Sequence, residues 1–331
     1  MRRMAGGITM IFLVALGIGV LMMRPWEGNA EPSPPIPGDV FAADREAPAE
    51  PAPFDAERAM GYLEALCKIG PRISATAGMK KQQELLEKHF KDHGGQIDWQ
   101  RFTACQRSVR KDVDMANLIV SWYPDRPRRV ILCSHYDTRP LADQERDTRR
   151  WREPFVSAND GGSGVALLME LAHHMKDLKI NVGVDFVFFD GEEYVFEPDD
   201  EYFFGSKQFG REYRRARGKK FYGAAVLLDM IAGKKAHFPV EPHSWEMAGG
   251  LVQVLWGIAK ELKCPAFDAD SWGERVQDDH LSLNQSGIPA IDIIDFKYPH
   301  WHRLTDLPEN CSGESMEQVA RVLSVWLQRI K

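Results

Sequence analysis

The chain has 331 residues, of which 44% are hydrophobic and 27% are charged. This composition can bury a large core, which excludes a disordered or collagen-like protein. The formal net charge of −6 and a pI near 6.0 provide no basic surface for a nucleic-acid backbone, so we expect no nucleic-acid partner.

The first predicted element is an N-terminal apolar segment. Nineteen uncharged residues, from Ala5 to Met23, lie between basic residues. As a helix they would be roughly 28 Å long, close to the thickness of a bilayer's hydrocarbon core. We therefore predict a signal anchor over residues 1–24, with a cleaved signal peptide as the alternative because small residues follow at 28–30. An anchor leaves the rest of the chain membrane-bound outside the cytoplasm, periplasmic or extracellular, and cleavage would make it secreted.

A proline-rich segment follows, over residues 25–53. It holds eight of the chain's 20 prolines, which disfavour helix and remove sheet donors, so we predict an extended linker. Residues 54–331 are predicted to form one globular domain. Its five cysteines include no Cys-x-x-Cys pair, so a thiolate zinc site has no support, and the pattern leaves disulfide pairing open.

Hydrophobic periodicity alternates between strands and helices through this domain. The predicted helices are 56–68, 76–92, 163–176, 206–217, 244–262, 279–286 and 313–330, and the predicted strands are 97–103, 116–123, 129–134, 182–189, 222–230 and 289–294. This alternation predicts an α/β fold, a three-layer α/β/α sandwich around a mixed, mostly parallel sheet. Ligands of such sheets bind beyond the carboxyl ends of the strands.

Polar side chains are found at the ends of several predicted strands and in the loops near those ends. They are, in chain order, His135, Asp160, Glu192, Glu193, Asp229 and His302. Each residue alone has a simpler explanation, such as a helix cap, a turn or a solvated strand end. Together they predict two histidines and several carboxylates at one edge of the sheet, a set of nitrogen and oxygen ligands that suits zinc.

The sequence lacks the patterns of several other catalytic sites. The run from Gly161 to Gly164 misses the closing glycine of a serine-hydrolase elbow, and no Gly-Lys-Ser/Thr follows it to make a phosphate loop. A His-Glu-x-x-His zinc motif is absent from the sequence. His173 and His174 are adjacent and cannot share one helix face, so we interpret them as surface or packing residues.

Six segments together resemble the zinc exopeptidase fold shared by co-catalytic zinc aminopeptidases and glutaminyl cyclases. They are CSHYDTRP (133–140), SANDGGSGVALLMELA (157–172), FFDGEE (188–193), LLDMI (227–231), QDDH (277–280) and WHRLTDLPEN (301–310). The resemblance spans nearly all of residues 54–331. It implies that the ligands of a catalytic zinc are Asp160, Glu193 and His302, with Glu192 as general base and acid.

The same resemblance leaves the number of metal ions at one or two. His135 and Asp229 match the positions that hold a second zinc in the aminopeptidases, where Asp160 would bridge the two ions. Glutaminyl cyclases keep similar residues while using one zinc. The ligand set therefore does not separate the two activities.

Other positions resemble the cyclases more closely. Eleven residues separate Glu193 from the next Gly-Ser step, a longer loop than aminopeptidases of this fold usually have. In the cyclase pattern Gln277 lines the substrate pocket, Asp278 hydrogen-bonds Asp229, and Trp301 packs on the substrate. The segment 159–164, by contrast, resembles the aminopeptidases.

The resemblance thus implies a zinc-dependent glutaminyl-peptide cyclotransferase, which converts the N-terminal glutamine of peptides or proteins to pyroglutamate and releases ammonia. Its catalytic residues would be Glu192, Asp229 and Asp278, and its substrate-binding residues Gln277 and Trp301. One alternative is a co-catalytic zinc aminopeptidase. The other is an inactive peptide-binding module of the same fold.

Overall fold

The computed structural model describes residues 49–216 and 220–331. The predicted signal segment, 1–24, and most of the predicted linker, 25–53, lie outside the described residues, so both stay predictions. Within the described ranges, no helix is both long and apolar enough to cross a bilayer.

Helices and strands alternate along most of the described chain. The helices are α1 (Ala56–Lys68), α2 (Ala77–Asp92), α3 (Ser163–Ala172), α4 (Phe204–Arg215), α5 (Pro242–Glu261), α6 (Asp279–Gln285) and α7 (Gly313–Arg329). The strands are β1 (Gln96–Cys105), β2 (Asp112–Trp122), β3 (Arg128–His135), β4 (Gly183–Phe189), β5 (Phe221–Asp229), β6 (Phe238–Val240), β7 (Phe267–Trp272) and β8 (Ala290–Ile294).

The main sheet is mixed, with the order β1-β2-β4-β3-β5-β8. Strands β4, β3, β5 and β8 run parallel, whereas β1 and β2 are joined by antiparallel pairing and β2 also pairs antiparallel with β4. The carboxyl ends of the four parallel strands therefore meet at one edge of the sheet. A small separate sheet is formed by β6 and β7.

Successive residues of the central strands face opposite sides of the sheet. In β3, Leu132 belongs to the larger apolar cluster, which also includes residues of α1, α2, α3, α5 and α7. The next residue, Cys133, belongs to the second cluster, in which residues of α4 and α6 cover the other face. Because successive buried residues pack against helices on opposite faces, the sheet is the middle layer of the predicted three-layer α/β/α sandwich.

The predicted fold class is confirmed, while two local predictions are wrong. Helix α3 ends at Ala172 rather than at 176, because the backbone N–H groups of His173 and His174 bond the carbonyls three residues earlier and tighten the chain into turns. Strands β6 and β7 were not predicted. The strand β6 has only three residues, too few for periodicity to show.

The last residues of the predicted linker contact the domain. Ala52 is buried, and its backbone N–H donates to Ser324 Oγ of α7 at 3.0 Å. The side chain of Gln328 donates to the carbonyl of Glu50 at 2.8 Å. All five cysteines carry free thiols in the structure.

Candidate active site

The carboxyl edge of the sheet brings the predicted metal ligands together. His135 is the last residue of β3, and Asp229 is the last residue of β5. Glu193 follows β4 after a short turn, Asp160 lies in the loop before α3, and His302 lies in the loop after β8. All five side chains are buried, so five separate segments converge on one enclosed site.

Close contacts connect these side chains. His135 Nε2 lies 3.1 Å from Asp160 Oδ1 and 3.3 Å from Asp229 Oδ1. His302 Nε2 lies 2.7 Å from Glu193 Oε1 and 3.5 Å from Asp160 Oδ2. The imidazole nitrogens of both histidines thus point at carboxylate oxygens, with Asp160 between them.

Several buried polar atoms in this cluster are left without a hydrogen bond within the described part of the chain. They are His135 Nδ1, Asp160 Oδ2 and Glu193 Oε2. Burying unpaired polar atoms is costly unless a ligand satisfies them. One potential ligand atom from each of His135, Asp160 and Glu193 lies within 4.8 Å of the others. The residues therefore fit a metal ion, and imidazole with carboxylate is a ligand set that zinc accepts.

Glu193 and His302 form an ionic pair within the cluster. Burial alone would raise the pKa of Glu193, but the neighbouring charges of His302 and Arg139 outweigh it and lower that pKa to about 2. Burial likewise opposes the charge on His302, yet Glu193 and Asp143 raise its pKa to about 9. Glu193 is therefore ionised at neutral pH, as a metal ligand must be.

Glu192 differs from its neighbour in its electrostatic surroundings. Burial first, and the negative charge of Glu193 second, raise the pKa of Glu192 well above its usual value. Its Oε2 lies 3.6 Å from His135 Nδ1. A carboxyl group with a raised pKa beside a candidate metal site can accept and return a proton near neutral pH.

Asp278 adds a second buried carboxyl to this edge. Burial raises its pKa well above its usual value, and the nearby negative charge of Asp229 raises it further. Its Oδ1 accepts the backbone N–H of Asp279 at 2.6 Å, which fixes Asp278 as the N-cap of α6. These surroundings favour the protonated form of Asp278.

Two carboxylates that the sequence analysis did not assign hold the backbone of the site. Asp137 accepts the N–H groups of Glu192 and Glu193, both at 3.1 Å. Asp306 accepts the N–H group of Asn159 at 2.9 Å and that of Asp160 at 3.2 Å. These bonds hold the backbone from which the side chains of Glu192, Glu193 and Asp160 project. Asp137 and Asp306 do fall inside the motifs CSHYDTRP and WHRLTDLPEN.

Asp143 and Arg139 contact two of the predicted ligands, His302 and Glu193. His302 Nδ1 donates to Asp143 Oδ1 at 2.9 Å, which directs Nε2 of the same ring toward Glu193 and Asp160. Arg139 donates to Asp143 at 2.6 Å and to Glu193 at 3.3 Å. Asp143 lies outside every quoted motif, so the sequence carried no signal for it.

The backbone around the site adopts conformations that are rare for L-residues. His302 has φ +52°, in the left-handed region. Gly161, directly after Asp160, has φ +74°, and a Cβ there would lie 2.5 Å from the carbonyl oxygen of Asp137. Glycine is therefore required at this point of the loop that carries Asp160.

The predicted substrate-binding residues lie on different parts of this edge. Trp301 is partly buried, with its ring centroid 4.0 Å from that of His302 and 5.1 Å from that of Phe296. Gln277 is exposed and directly precedes the buried Asp278. Their roles stay predictions, but both are placed next to residues of the cluster.

Comparisons with known proteins agree with this geometry. The pattern of the family described as Peptidase family M28 matches residues 117–327. Among solved structures, the glutaminyl cyclase of Fimbriiglobus ruber is similar with 50% identity and a TM-score of 0.83, over 86% of this chain and all of that one. A leucine aminopeptidase precursor from Bacteroides thetaiotaomicron is similar with 27% identity and a TM-score of 0.80, and the match also covers 86% of this chain and all of that one.

A bovine protein called glutaminyl-peptide cyclotransferase is also similar. It is 24% identical over 246 residues, which are 64% of this chain and 65% of the bovine protein. The match thus spans slightly less than two thirds of the bovine protein's length.

Proposed function

The chain belongs to peptidase family M28, and we propose that it is a zinc-dependent glutaminyl-peptide cyclotransferase. Its substrates would be peptides or proteins with an N-terminal glutamine, and its products pyroglutamyl peptides and ammonia. The similarity to the Fimbriiglobus ruber glutaminyl cyclase supports this choice.

The observation that carries the proposal is the buried carboxyl pair Asp229–Asp278. Burial and the negative charge of Asp229 raise the pKa of Asp278 well above its usual value, which favours the protonated form of Asp278. A protonated Asp278 can donate to Asp229, which then serves as a hydrogen-bonding group rather than as a free ligand for a second metal ion. This arrangement favours the cyclase over a two-metal hydrolase.

The residues that would hold zinc are Asp160, Glu193 and His302. Zinc bound there would polarise the γ-carbonyl of the glutamine side chain and stabilise the negative charge that develops on its oxygen. Asp143, through its bond to His302, and Asp306, through the backbone of Asp160, would hold these ligands in place.

Glu192 would move the protons of the reaction. The substrate's α-amino nitrogen forms a bond to the γ-carbonyl carbon, and Glu192 takes the proton that this nitrogen loses. Glu192 then returns the proton to the side-chain amide nitrogen, the bond from carbon to that nitrogen breaks, and ammonia leaves. The Asp229–Asp278 pair would hydrogen-bond the departing nitrogen. Trp301 would pack on the glutaminyl side chain, and Gln277 would line the entrance of the pocket.

An aminopeptidase is the second candidate, and one contact favours it. His135 Nε2 faces Asp160 and Asp229 together, at 3.1 and 3.3 Å, as residues sharing a second metal ion with a bridging Asp160 would. In that case Glu192 would take a proton from water instead of from the substrate's amine. The same site would then release free amino acids.

We further propose that residues 1–24 anchor the enzyme in a membrane and that 25–53 act as a tether. The catalytic domain would then act outside the cytoplasm. If the first segment is cleaved, the enzyme would be secreted.

A pair of peptides that differ only in their first residue tests the proposed function. The full chain is incubated with a Gln-initiated and with a Leu-initiated peptide, and ammonia and free amino acids are measured. Ammonia from the first peptide, with no free amino acid from either, is the expected result. Release of leucine would favour the aminopeptidase.

A further inference from the structure

Three histidines form a second cluster, away from the active site. His89 and His93 lie one turn apart at the end of α2 and just beyond it, and His173 follows the last residue of α3. All three are half-buried, and one potential ligand nitrogen from each lies within 4.8 Å of the others. Asp160 precedes α3 and His173 follows it, so this ten-residue helix, about 15 Å long, separates the cluster from the active site.

Two of the imidazoles are oriented by backbone carbonyls. His89 Nε2 donates to the carbonyl of Met169 at 2.8 Å, which leaves the Nδ1 lone pair available. His93 Nδ1 donates to the carbonyl of His89 at 2.8 Å, which leaves the Nε2 lone pair available. Metal-ligating histidines are usually oriented in this way, with the other ring nitrogen bonded to a carbonyl or carboxylate.

The third imidazole is held by a hydroxyl group. His173 Nε2 bonds the hydroxyl of Tyr62 at 2.6 Å, and the tautomer that donates this proton leaves Nδ1 available. The ring centroid of His93 lies 4.0 Å from that of His173 and 4.4 Å from that of His89. The three rings thus gather around His93.

Burial favours the neutral form, which a metal ligand needs, in His89 and His173. Burial, which outweighs the bond to Met169, lowers the pKa of His89 to about 4. Burial and the proximity of His93 lower the pKa of His173. Three imidazole ligands with one coordination position left for solvent are a recognised zinc arrangement.

We propose that His89, His93 and His173 form a second metal site, which binds zinc or a similar divalent cation and links the end of α2 to the end of α3. The site is independent of the proposed catalytic zinc and shares no residue with it. Its role is to join two helices of one layer of the sandwich.

The test counts zinc sites in the full chain after chelator treatment, by calorimetric titration with ZnCl2. His93→Gln removes the central imidazole. His174→Gln is the matched control, since His174 is adjacent to the cluster but bonds Glu170 instead. His302→Ala should lose the binding equivalent of the proposed catalytic zinc, which identifies that equivalent in the titration. The far-ultraviolet circular dichroism of each metal-free variant reports its fold.

We expect His93→Gln to lose one binding equivalent or to weaken one site at least about tenfold. His174→Gln should bind like the unchanged chain, and both variants should keep the activity on the Gln-initiated peptide. Unchanged stoichiometry and affinity in His93→Gln would overturn the proposal and would mean that the rings are simply packed together.

A second measurement uses the unchanged chain, in case His93→Gln does not fold. The ring-nitrogen NMR signals of the three histidines are followed while ZnCl2 is added. Shifts at His89, His93 and His173 would support the site, and their absence at zinc saturation would refute it. Neither result depends on cyclase activity, so failure of the proposed function leaves this test intact.

Discussion

His302 Nδ1 donates a hydrogen bond to Asp143 Oδ1 at 2.9 Å, so the loop after β8 and the loop after β3 are joined directly behind the candidate metal site. This bond leaves Nε2 of His302 facing Glu193 and Asp160. The orientation of the His302 ring is therefore fixed by a contact within the protein itself.

Removing that support should weaken metal binding without removing a ligand. Asp143→Ala is expected to reduce zinc affinity roughly 10- to 100-fold, because His302 loses the group that orients it. Asp147→Ala is the matched control, because Asp147 lies on the same loop and pairs with the exposed Arg149. Equal zinc affinities of the two variants in a chelator competition would contradict this role of Asp143.

Glu192→Gln should separate catalysis from metal binding. The amide cannot accept the substrate's proton, so we expect kcat to fall by about 100- to 10,000-fold while the zinc content stays unchanged. His302→Ala should instead lose zinc first, because it removes a ligand. Turnover and metal content measured on the same preparations check both variants, and loss of zinc in Glu192→Gln would show that Glu192 is itself a ligand.

The loop that carries Asp160 should not tolerate a side chain at Gly161. Gly161→Ala adds a Cβ that would meet the carbonyl of Asp137 at 2.5 Å, in a residue with φ +74°. Gly287→Ala is the control, because Gly287 has φ +84° but no atom of the described residues lies within 4 Å of the added Cβ. We expect the control to cost about 1–2 kcal/mol from the backbone alone and Gly161→Ala to cost roughly 1–3 kcal/mol more. Equal free energies of unfolding would contradict the clash.

Stability at low pH should depend on Glu241. Burial would raise its pKa, but the contact with His280 at 3.5 Å and the backbone N–H groups of His243 and Ser244 outweigh burial and lower the pKa to about 2. The folded pKa lies below the unfolded one, so the stabilisation is complete above about pH 4 and is lost as the pH falls toward 2.

Glu241→Gln should therefore flatten the fall in stability between about pH 4 and 2 and should remove about 3 kcal/mol at neutral pH. Denaturant unfolding at several pH values measures this, with Glu274→Gln as an exposed control. Curves of the same shape for the unchanged chain and Glu241→Gln would show that Glu241 is not the titrating group.

Much of the sheet and of the active-site cluster could be predicted from the sequence. The central strands are continuous apolar runs, and each parallel strand ends at the same edge, so residues such as His135 and Asp229 could be placed there by position alone. Their roles as ligands remain predictions. Glu192 and Glu193 are adjacent, yet their pKa values move in opposite directions, which only the surrounding charges explain.

Other features could not be predicted because they depend on contacts between distant segments. Asp143 reaches His302 across 159 positions of sequence, and no periodic pattern marks either loop. His173 was predicted to be a surface or packing residue, and its neighbours in α2 become visible only when the helices are packed together. Local patterns define the elements, whereas the support of a site is set by tertiary packing.

The most direct test of the proposed reaction follows the side-chain amide nitrogen of the substrate's glutamine and the oxygen of water. The full chain is given a Gln-initiated peptide with a heavy-nitrogen side-chain amide, in water enriched in heavy oxygen, and the products are examined by mass spectrometry. We predict that all heavy nitrogen appears as ammonia and that the peptide product, of unchanged length and pyroglutamyl at its N-terminus, contains no heavy oxygen. Free glutamine that retains its heavy nitrogen, or any product that contains heavy oxygen, would contradict cyclisation.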